Sequence, residues 1–255
     1  MRRVLQLAIE NSSSRGFLCM GMYILLYDIL EHLFKFGSIE KGLLDHVRIG
    51  DRPSIESIIE NGIERNMLKE DDSKIYLLNP FEFLLLLDEI GLDTSRLCSY
   101  ISWSEFENFV ANKLYEFGWE YILGYSHKRI SRFQIDVIAM DFVLKRALVI
   151  ECKHWRKSLG VSSLKRIVLD HLVRVDKLVN YCEWVTVDIS RLRDIENLIP
   201  VVVTLKKGGV KVIEGVPIVS LHHLGDFLIN ISSYLELLNI KVFKNRCYVQ
   251  PTTTY

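Results

Sequence analysis

The 255-residue sequence has no CxxC pair, no internal repeat, no low-complexity tract and no net charge. Its five cysteines, Cys19, Cys98, Cys152, Cys182 and Cys247, are scattered along the chain. That scatter argues against a zinc site and a disulfide framework, and it suits a reducing compartment. Lys plus Arg and Asp plus Glu number 32 each, so bulk charge designates no partner. The most apolar stretch, GFLCMGMYILLYDILEHLF, meets Asp28 after about a dozen residues, whereas a bilayer-spanning helix needs about 20. Met1-Arg-Arg precedes only a short apolar stretch that soon reaches Glu10, so no signal peptide is read there. The resulting expectation is a cytoplasmic protein with no membrane association. Glutamine is confined to Gln6, Gln134 and Gln250 while Lys, Arg and Glu are plentiful, a bias that accords with a heat-loving source.

What is present says more. Apolar residues make up 49% of the chain, enough for a sizeable core and against global disorder. Charge is unevenly placed. Residues 1–95 hold 10 Lys/Arg against 16 Asp/Glu, a balance of −6, and the rest hold 22 against 16, a balance of +6. An acidic front joined to a basic back suggests a division of labour between two domains, 1–95 and 96–255.

In the front part, residues 17–36 are apolar around most of the helical circumference, as in a buried helix. Gly37 ends it, and Ser38 can cap a short helix, IEKGLLDHV. After the turn RIGDRP, Ser54 opens SIESIIENGIERN, with Ile55, Ile58, Ile59 and Ile63 at helical spacing. MLKEDDSKIYLLN reads as a hairpin, and Pro80 starts a further helix over 80–92. Helix, helix, helix, hairpin is the order of a winged helix-turn-helix. Its presumed recognition helix carries Glu56, Glu60 and Glu64 against Arg65 alone, and its wing carries Glu70, Asp71 and Asp72 against Lys69 and Lys74. Such a surface repels a phosphate backbone. Dimerisation or protein contact is therefore the favoured role, or at most a supporting role in DNA binding, for which Arg48 and Arg52 are the only obvious phosphate contacts.

The back part opens near Trp103. Phe106, Phe109, Val110, Leu114 and Phe117 form a helical stripe that Ser104 can cap and Gly118 ends. A short strand (EYILGY), a basic loop (SHKRISR) and two strands near 133–140 and 147–153 follow, joined by the turn DFVLKR. Residues 162–181 predict an amphipathic helix. VVVTL at 201–205 predicts a strand buried on both faces, then come VKVI, VPIVSL and a closing helix from His222. The whole reads as a mixed α/β sheet flanked by helices.

The two strands pose a chemical question. FQIDVIAMDFVLKRALVIECKHW is almost entirely apolar, yet it carries Asp136, Glu151 and Lys153. Side chains alternate faces along a strand, so Glu151 and Lys153 share one, and a hairpin can bring Asp136 alongside. Burying two unpaired carboxylates is costly, and they repel one another. A hard divalent cation such as Mg²⁺ or Mn²⁺, together with Lys153, would neutralise them. A metal held in this way activates water and stabilises charge on a phosphate under displacement. The plain alternative is a surface pair on an edge strand, worth about 0–1 kcal/mol, although Ala147 to Ile150 read as a central strand. Glu107, next to Phe106 on the preceding helix, is either a further ligand or a solvated side chain.

Ile135-Asp136-Val137 and Glu151-Cys152-Lys153, with Phe106-Glu107 on an upstream helix, resemble the PD-(D/E)xK nuclease superfamily of restriction-endonuclease-like fold. Over residues 102–225 the pattern is most similar to Mrr-like restriction endonucleases and archaeal Holliday-junction resolvases. The resemblance implies a Mg²⁺- or Mn²⁺-dependent DNA endonuclease, with Asp136 and Glu151 as metal ligands, Glu107 as an accessory ligand and Lys153 orienting the water. It also implies an archaeal setting and a homodimer, because two strands must be cut. Where that family often has Gly before the Ile-Asp, this chain has Gln134. Lys128, Arg129, Arg132, Arg156, Lys157 and Lys165 are the candidate phosphate-backbone contacts, with Arg166, Arg174 and Lys177 basic on the same following helix. Two other readings remain open: a non-catalytic DNA-binding regulator, and a silent nuclease fold used as an assembly subunit.

Overall fold

The computed structural model describes residues 15–46, 55–154, 160–205 and 210–250. The chain divides into two compact units, Met1–Ile101 and Ser102–Tyr255.

In the first unit, helix α1 (Arg15–Phe36) buries Leu26, Ile29, Leu30, Leu33 and Phe34 at three- and four-residue spacing. Gly37, in the left-handed region at φ +73°, ends it by donating its N–H to Leu33 O at 2.8 Å. Ser38 then opens a strand, β1 (Ser38–Glu40), where the sequence suggested a helix cap. Pairing decides the outcome, because Ile39 lies opposite Ile75 and both are buried. A 3₁₀ turn (Lys41–His46) follows. Arg48, Arg52 and Ser54 lie outside the described residues. Helix α2 (Ile55–Glu64) buries Ile55, Ile58 and Ile59 and exposes Glu56, Glu60 and Glu64. Strands β2 (Leu68–Glu70) and β3 (Lys74–Leu77) form the expected hairpin, in a sheet of order β1-β3-β2. Its turn is closed by Asp71, which accepts from the Ser73 and Lys74 N–H groups and the Tyr76 hydroxyl. These bonds favour the anion and pull the Asp71 carboxyl down to about 2. Gly62 lets α2 approach this hairpin closely, since a Cβ there would meet Leu68 Cδ1 at 2.7 Å. Helix α3 (Pro80–Glu89) starts with Asn79 as cap and Pro80 in its first turn.

The second unit begins with α4 (Trp103–Glu116), capped by Ser102 rather than Ser104. The Ser102 hydroxyl accepts from the Glu105 N–H while the Glu105 carboxylate accepts from the Ser102 N–H, a reciprocal capping box. Strands β4 (Glu120–His127), β5 (Phe133–Asp141) and β6 (Arg146–Lys153) run antiparallel in sequence. The β5–β6 turn is held by Asp141, which accepts from the Val143 and Leu144 N–H groups and pairs with Arg146. Helix α5 (Val161–Asn180), a short helix α6 (Cys182–Asp188) that the sequence reading lacked, and a 3₁₀ turn (Ser190–Asp194) lead into β7 (Asn197–Thr204). β7 pairs parallel to β6 from Asn197 onward, so it starts before the 201–205 run; all of it but Asn197 is buried. β8 (Lys211–Ile213) and β9 (Val216–Ser220) complete one edge, and the expected closing helix is two, α7 (Leu221–Ile229) and α8 (Ile231–Leu237), broken at Asn230. A two-residue strand, β10 (Phe243–Lys244), pairs with the start of β7.

The resulting seven-stranded mixed sheet has the order β4-β5-β6-β7-β9-β8, with β10 beside β7. Against one face, Val175, Leu178 and Val179 of α5 join Ile138, Met140, Ala147 and Val149 in one core cluster. Alternation leaves Leu148, Ile150 and Cys152 for the face on which α4 packs. The restriction-endonuclease-like α/β architecture is the one expected. The cysteine reading needs correction: Cys182 and Cys247 form a disulfide across 65 residues, fastening the C-terminal segment to α6, while Cys98 and Cys152 are buried free thiols. Two cysteines so far apart carry no spacing signature, so only the chain's return past α6 unites them. Among the described residues no helix is long and apolar enough to cross a membrane.

Candidate active site

The β5–β6 ladder stops at Val137 opposite Ile150, one step short of Asp136 and Glu151. Asp136 Oδ2 there accepts the Cys152 N–H at 2.8 Å, a side-chain bond in place of the next ladder rung. Ile135 and Ile138, an odd number of residues apart, both join the core cluster under α5, so side-chain alternation breaks between them. Facing Asp136 across β4 is Gly124 at φ +60°. A local kink of this kind re-aims a side chain, and the left-handed backbone explains why the opposing residue is glycine.

Glu151 is 1% exposed and Asp136 8%. Lys153 Nζ lies 2.5 Å from Glu151 Oε1 and sits over the Trp103 ring, 5.1 Å from its centroid. Arg174 of α5 pairs with Glu151 Oε2. Glu107 looks toward the same place from α4. Burial raises its carboxyl, a hydrogen bond from the Trp103 side chain opposes that rise, and the Glu151 charge adds to it. Asp136 is pushed up to about 6, first by burial, then by the Glu151 charge, with the Cys152 N–H opposing. Asp136, Glu151, Lys153 and Glu107 are thus brought to one end of β5 and β6, electrostatically coupled.

Residues 98–174 match the family model of the Mrr catalytic domain, described as a restriction endonuclease. This segment is Mrr-like. The match supports a nuclease-family relationship and spans α4, the three antiparallel strands and most of α5. The solved structure of protein VC1899 from Vibrio cholerae aligns at 13% identity and a TM-score of 0.32, over 91% of this chain and 55% of that one. The present chain thus spans about half the length of that protein. A search of curated proteins finds no match.

The donor set of the Mrr-like segment fits a hard divalent cation. Asp136 and Glu151 offer carboxylate oxygens, and burial first, then the Glu151 charge, disfavours the Asp136 anion, a cost that a bound cation would relieve. Among the described residues no three His, Cys, Asp or Glu side chains converge as a ready-made cage. Mg²⁺ in particular is commonly held through one or two carboxylates plus waters and substrate phosphate.

The predicted phosphate contacts divide. Lys128 and Arg132 are exposed; Arg132 and Gln134 line a groove with Asp170, Arg174 and Lys177, and they also line an adjoining hollow with Lys128. Arg129 is exposed but stacked over Trp184 and paired with Asp188 at 3.4 Å. Lys165 pairs with Glu214 at 2.7 Å. It is nine residues from Arg174, half a turn out of phase, on the other side of α5 from the groove. Arg156 and Lys157 lie outside the described residues. His127, read as part of the basic loop, is instead a buried end of β4 stacked between Phe133 and Tyr181.

Three site neighbours escaped the sequence reading. Trp103 lies under Lys153. Arg174 was noted only as one base on a helix. His171 is fully buried, and its Nε2–H donates to Val149 O at 2.9 Å, so Nδ1 bears a lone pair, 3.9 Å from Glu151 Oε2. Burial holds the His171 imidazole down at about 4. The available signal was the stripe Val168-His171-Val175-Leu178, whose three- and four-residue spacing places a histidine among core positions.

Proposed function

We propose that the second unit is a metal-dependent DNA endonuclease that hydrolyses phosphodiester bonds. The observation that carries this reading is the meeting of Asp136, Glu151, Glu107 and Lys153 at the splayed ends of β5 and β6, beside a groove lined by Arg132, Arg174 and Lys177. Asp136 and Glu151 would hold Mg²⁺ or Mn²⁺ by direct oxygen contact, and Glu107 would assist directly or through water. The bound cation would supply an activated water and offset phosphate charge. Lys153, fixed by Glu151 and Trp103, would orient that water and stabilise the charge that develops on the phosphate. The groove cations would bind backbone phosphates without regard to sequence.

For the first unit we propose a winged-helix-like domain, approximately residues 1–95, used for contact with protein. The three exposed glutamates of α2 speak against its laying that helix on DNA. Pairing of two chains through it would position two nuclease units for the two strands of a duplex.

The test is cleavage of labelled linear, branched and modified DNA with Mg²⁺, Mn²⁺ or EDTA, with Asp136→Ala and Lys153→Ala in parallel. The expected result is cleavage that requires metal and is lost in both variants. Cleavage that survives EDTA or either substitution would refute the assignment. Metal binding and DNA binding without any cleavage would instead support the silent assembly subunit.

A further inference from the structure

Both oxygens of the buried Glu151 carboxylate are engaged, Oε1 by Lys153 and Oε2 by Arg174. The two cations are not equivalent. Lys153 leaves the same strand two residues later and is packed over Trp103. The Arg174 side chain comes from α5, is 29% exposed, and lines the groove with Arg132, Gln134 and Lys177, Asp170 being the one acid there. Its guanidinium has five donors, more than one carboxylate oxygen consumes. Resting on the nuclease reading above, we propose that Arg174 is a positioning latch. It neutralises Glu151 in the free protein, and it turns to a backbone phosphate when DNA lies in the groove, giving up Oε2 to the divalent cation.

Three physical arguments support this. Glu151 and Asp136 are two buried carboxyl groups and Lys153 supplies one positive charge, so a second cation is needed there when both are ionised and no metal is bound. A guanidinium and a divalent ion on the same oxygen repel, and more strongly in a dry site than in water, so the two compete for it. A phosphate on the groove side offers the guanidinium two oxygens in a matching planar fork. DNA and metal then bind cooperatively, each raising the affinity for the other by the same factor.

The experiment is Mn²⁺ binding to the full-length protein by calorimetry without DNA, with binding of a labelled duplex in EDTA measured by anisotropy. Arg174→Ala is expected to bind Mn²⁺ about tenfold more tightly than wild type, within the usual range of site-to-site coupling, and to bind the duplex more weakly. Arg174→Lys should restore wild-type values in part, and circular dichroism should show both variants folded. Lys177→Ala removes the same charge from the groove three residues along and should leave Mn²⁺ affinity near wild type. Unchanged or weaker Mn²⁺ binding in Arg174→Ala, or an equal gain in Lys177→Ala, would overturn the latch. If Asp136→Ala abolishes Mn²⁺ binding in those same experiments, the nuclease reading survives that loss. If Asp136→Ala leaves Mn²⁺ binding intact, or the wild type binds none, both fall together.

Discussion

Asp136→Asn should stabilise the metal-free protein. The Asp136 carboxyl is held at about 6, against an ordinary 3.8. Its folded-state pKa is raised, so the folded chain binds this proton more readily than the unfolded one. The associated stability is present below pH 3.8 and is lost as pH rises through 6. Ionised at neutral pH, the group costs the fold about 3 kcal/mol, at 1.36 kcal/mol for each unit of pKa. Asparagine keeps an oxygen to accept the Cys152 N–H and carries no charge. The variant should therefore gain up to about 3 kcal/mol at pH 8 in EDTA, and the gain should shrink toward zero near pH 4. Urea unfolding followed by tryptophan fluorescence measures this directly, because Trp103, Trp119, Trp155 and Trp184 all belong to the second unit. Added Mg²⁺ or Mn²⁺ should stabilise the wild type and not the variant. A loss of stability at pH 8, or a gain independent of pH, would refute the electrostatic account of the site.

His171 supplies the opposite slope. Held near 4 against an ordinary 6.5, it adds stability that is complete above pH 6.5 and is lost as pH falls toward 4; in EDTA, His171→Gln should gain relative stability between pH 7 and 5, and equal urea midpoints would count against the burial argument. Gly124→Ala forces a side chain into φ +60°, which should cost about 1–2 kcal/mol and, by moving the Asp136 kink, weaken Mn²⁺ binding; unaltered thermal unfolding would contradict it. Opening the Cys182–Cys247 bond frees a 65-residue loop, so dithiothreitol or Cys182→Ser with Cys247→Ser should cost about 4 kcal/mol by loop entropy. A melting temperature indifferent to reductant would argue that the bond contributes nothing to the folded state.

Short-range physics made much of this chain legible. The β2–β3 hairpin lies where two apolar runs flank Asp71-Asp72-Ser73, because the turn acid closes the turn through its own neighbours. The α5 helix follows from an apolar stripe, and its boundaries differ from the expected ones by a single residue. Ser38 and Ser104 show the limit. Each is a good cap by type, yet a strand pairing took the first and Ser102, with Glu105, won the second.

The site divides along the same line. Asp136, Glu151 and Lys153 stand out in sequence because ionisable side chains inside apolar strands have few inexpensive explanations. That the two carboxylates end up coupled, with Glu151 held by a lysine and an arginine at once, is not visible there. Arg174 lies 23 residues from its carboxylate, Cys247 lies 65 from Cys182, and the kink at Asp136 depends on a glycine in the next strand. Periodicity and local hydrogen bonding determined the elements and nominated the charges. Only the folded sheet, with α5 laid across it, decided which cation meets which anion, because such pairings depend on distances that the chain acquires by folding rather than on its order of residues.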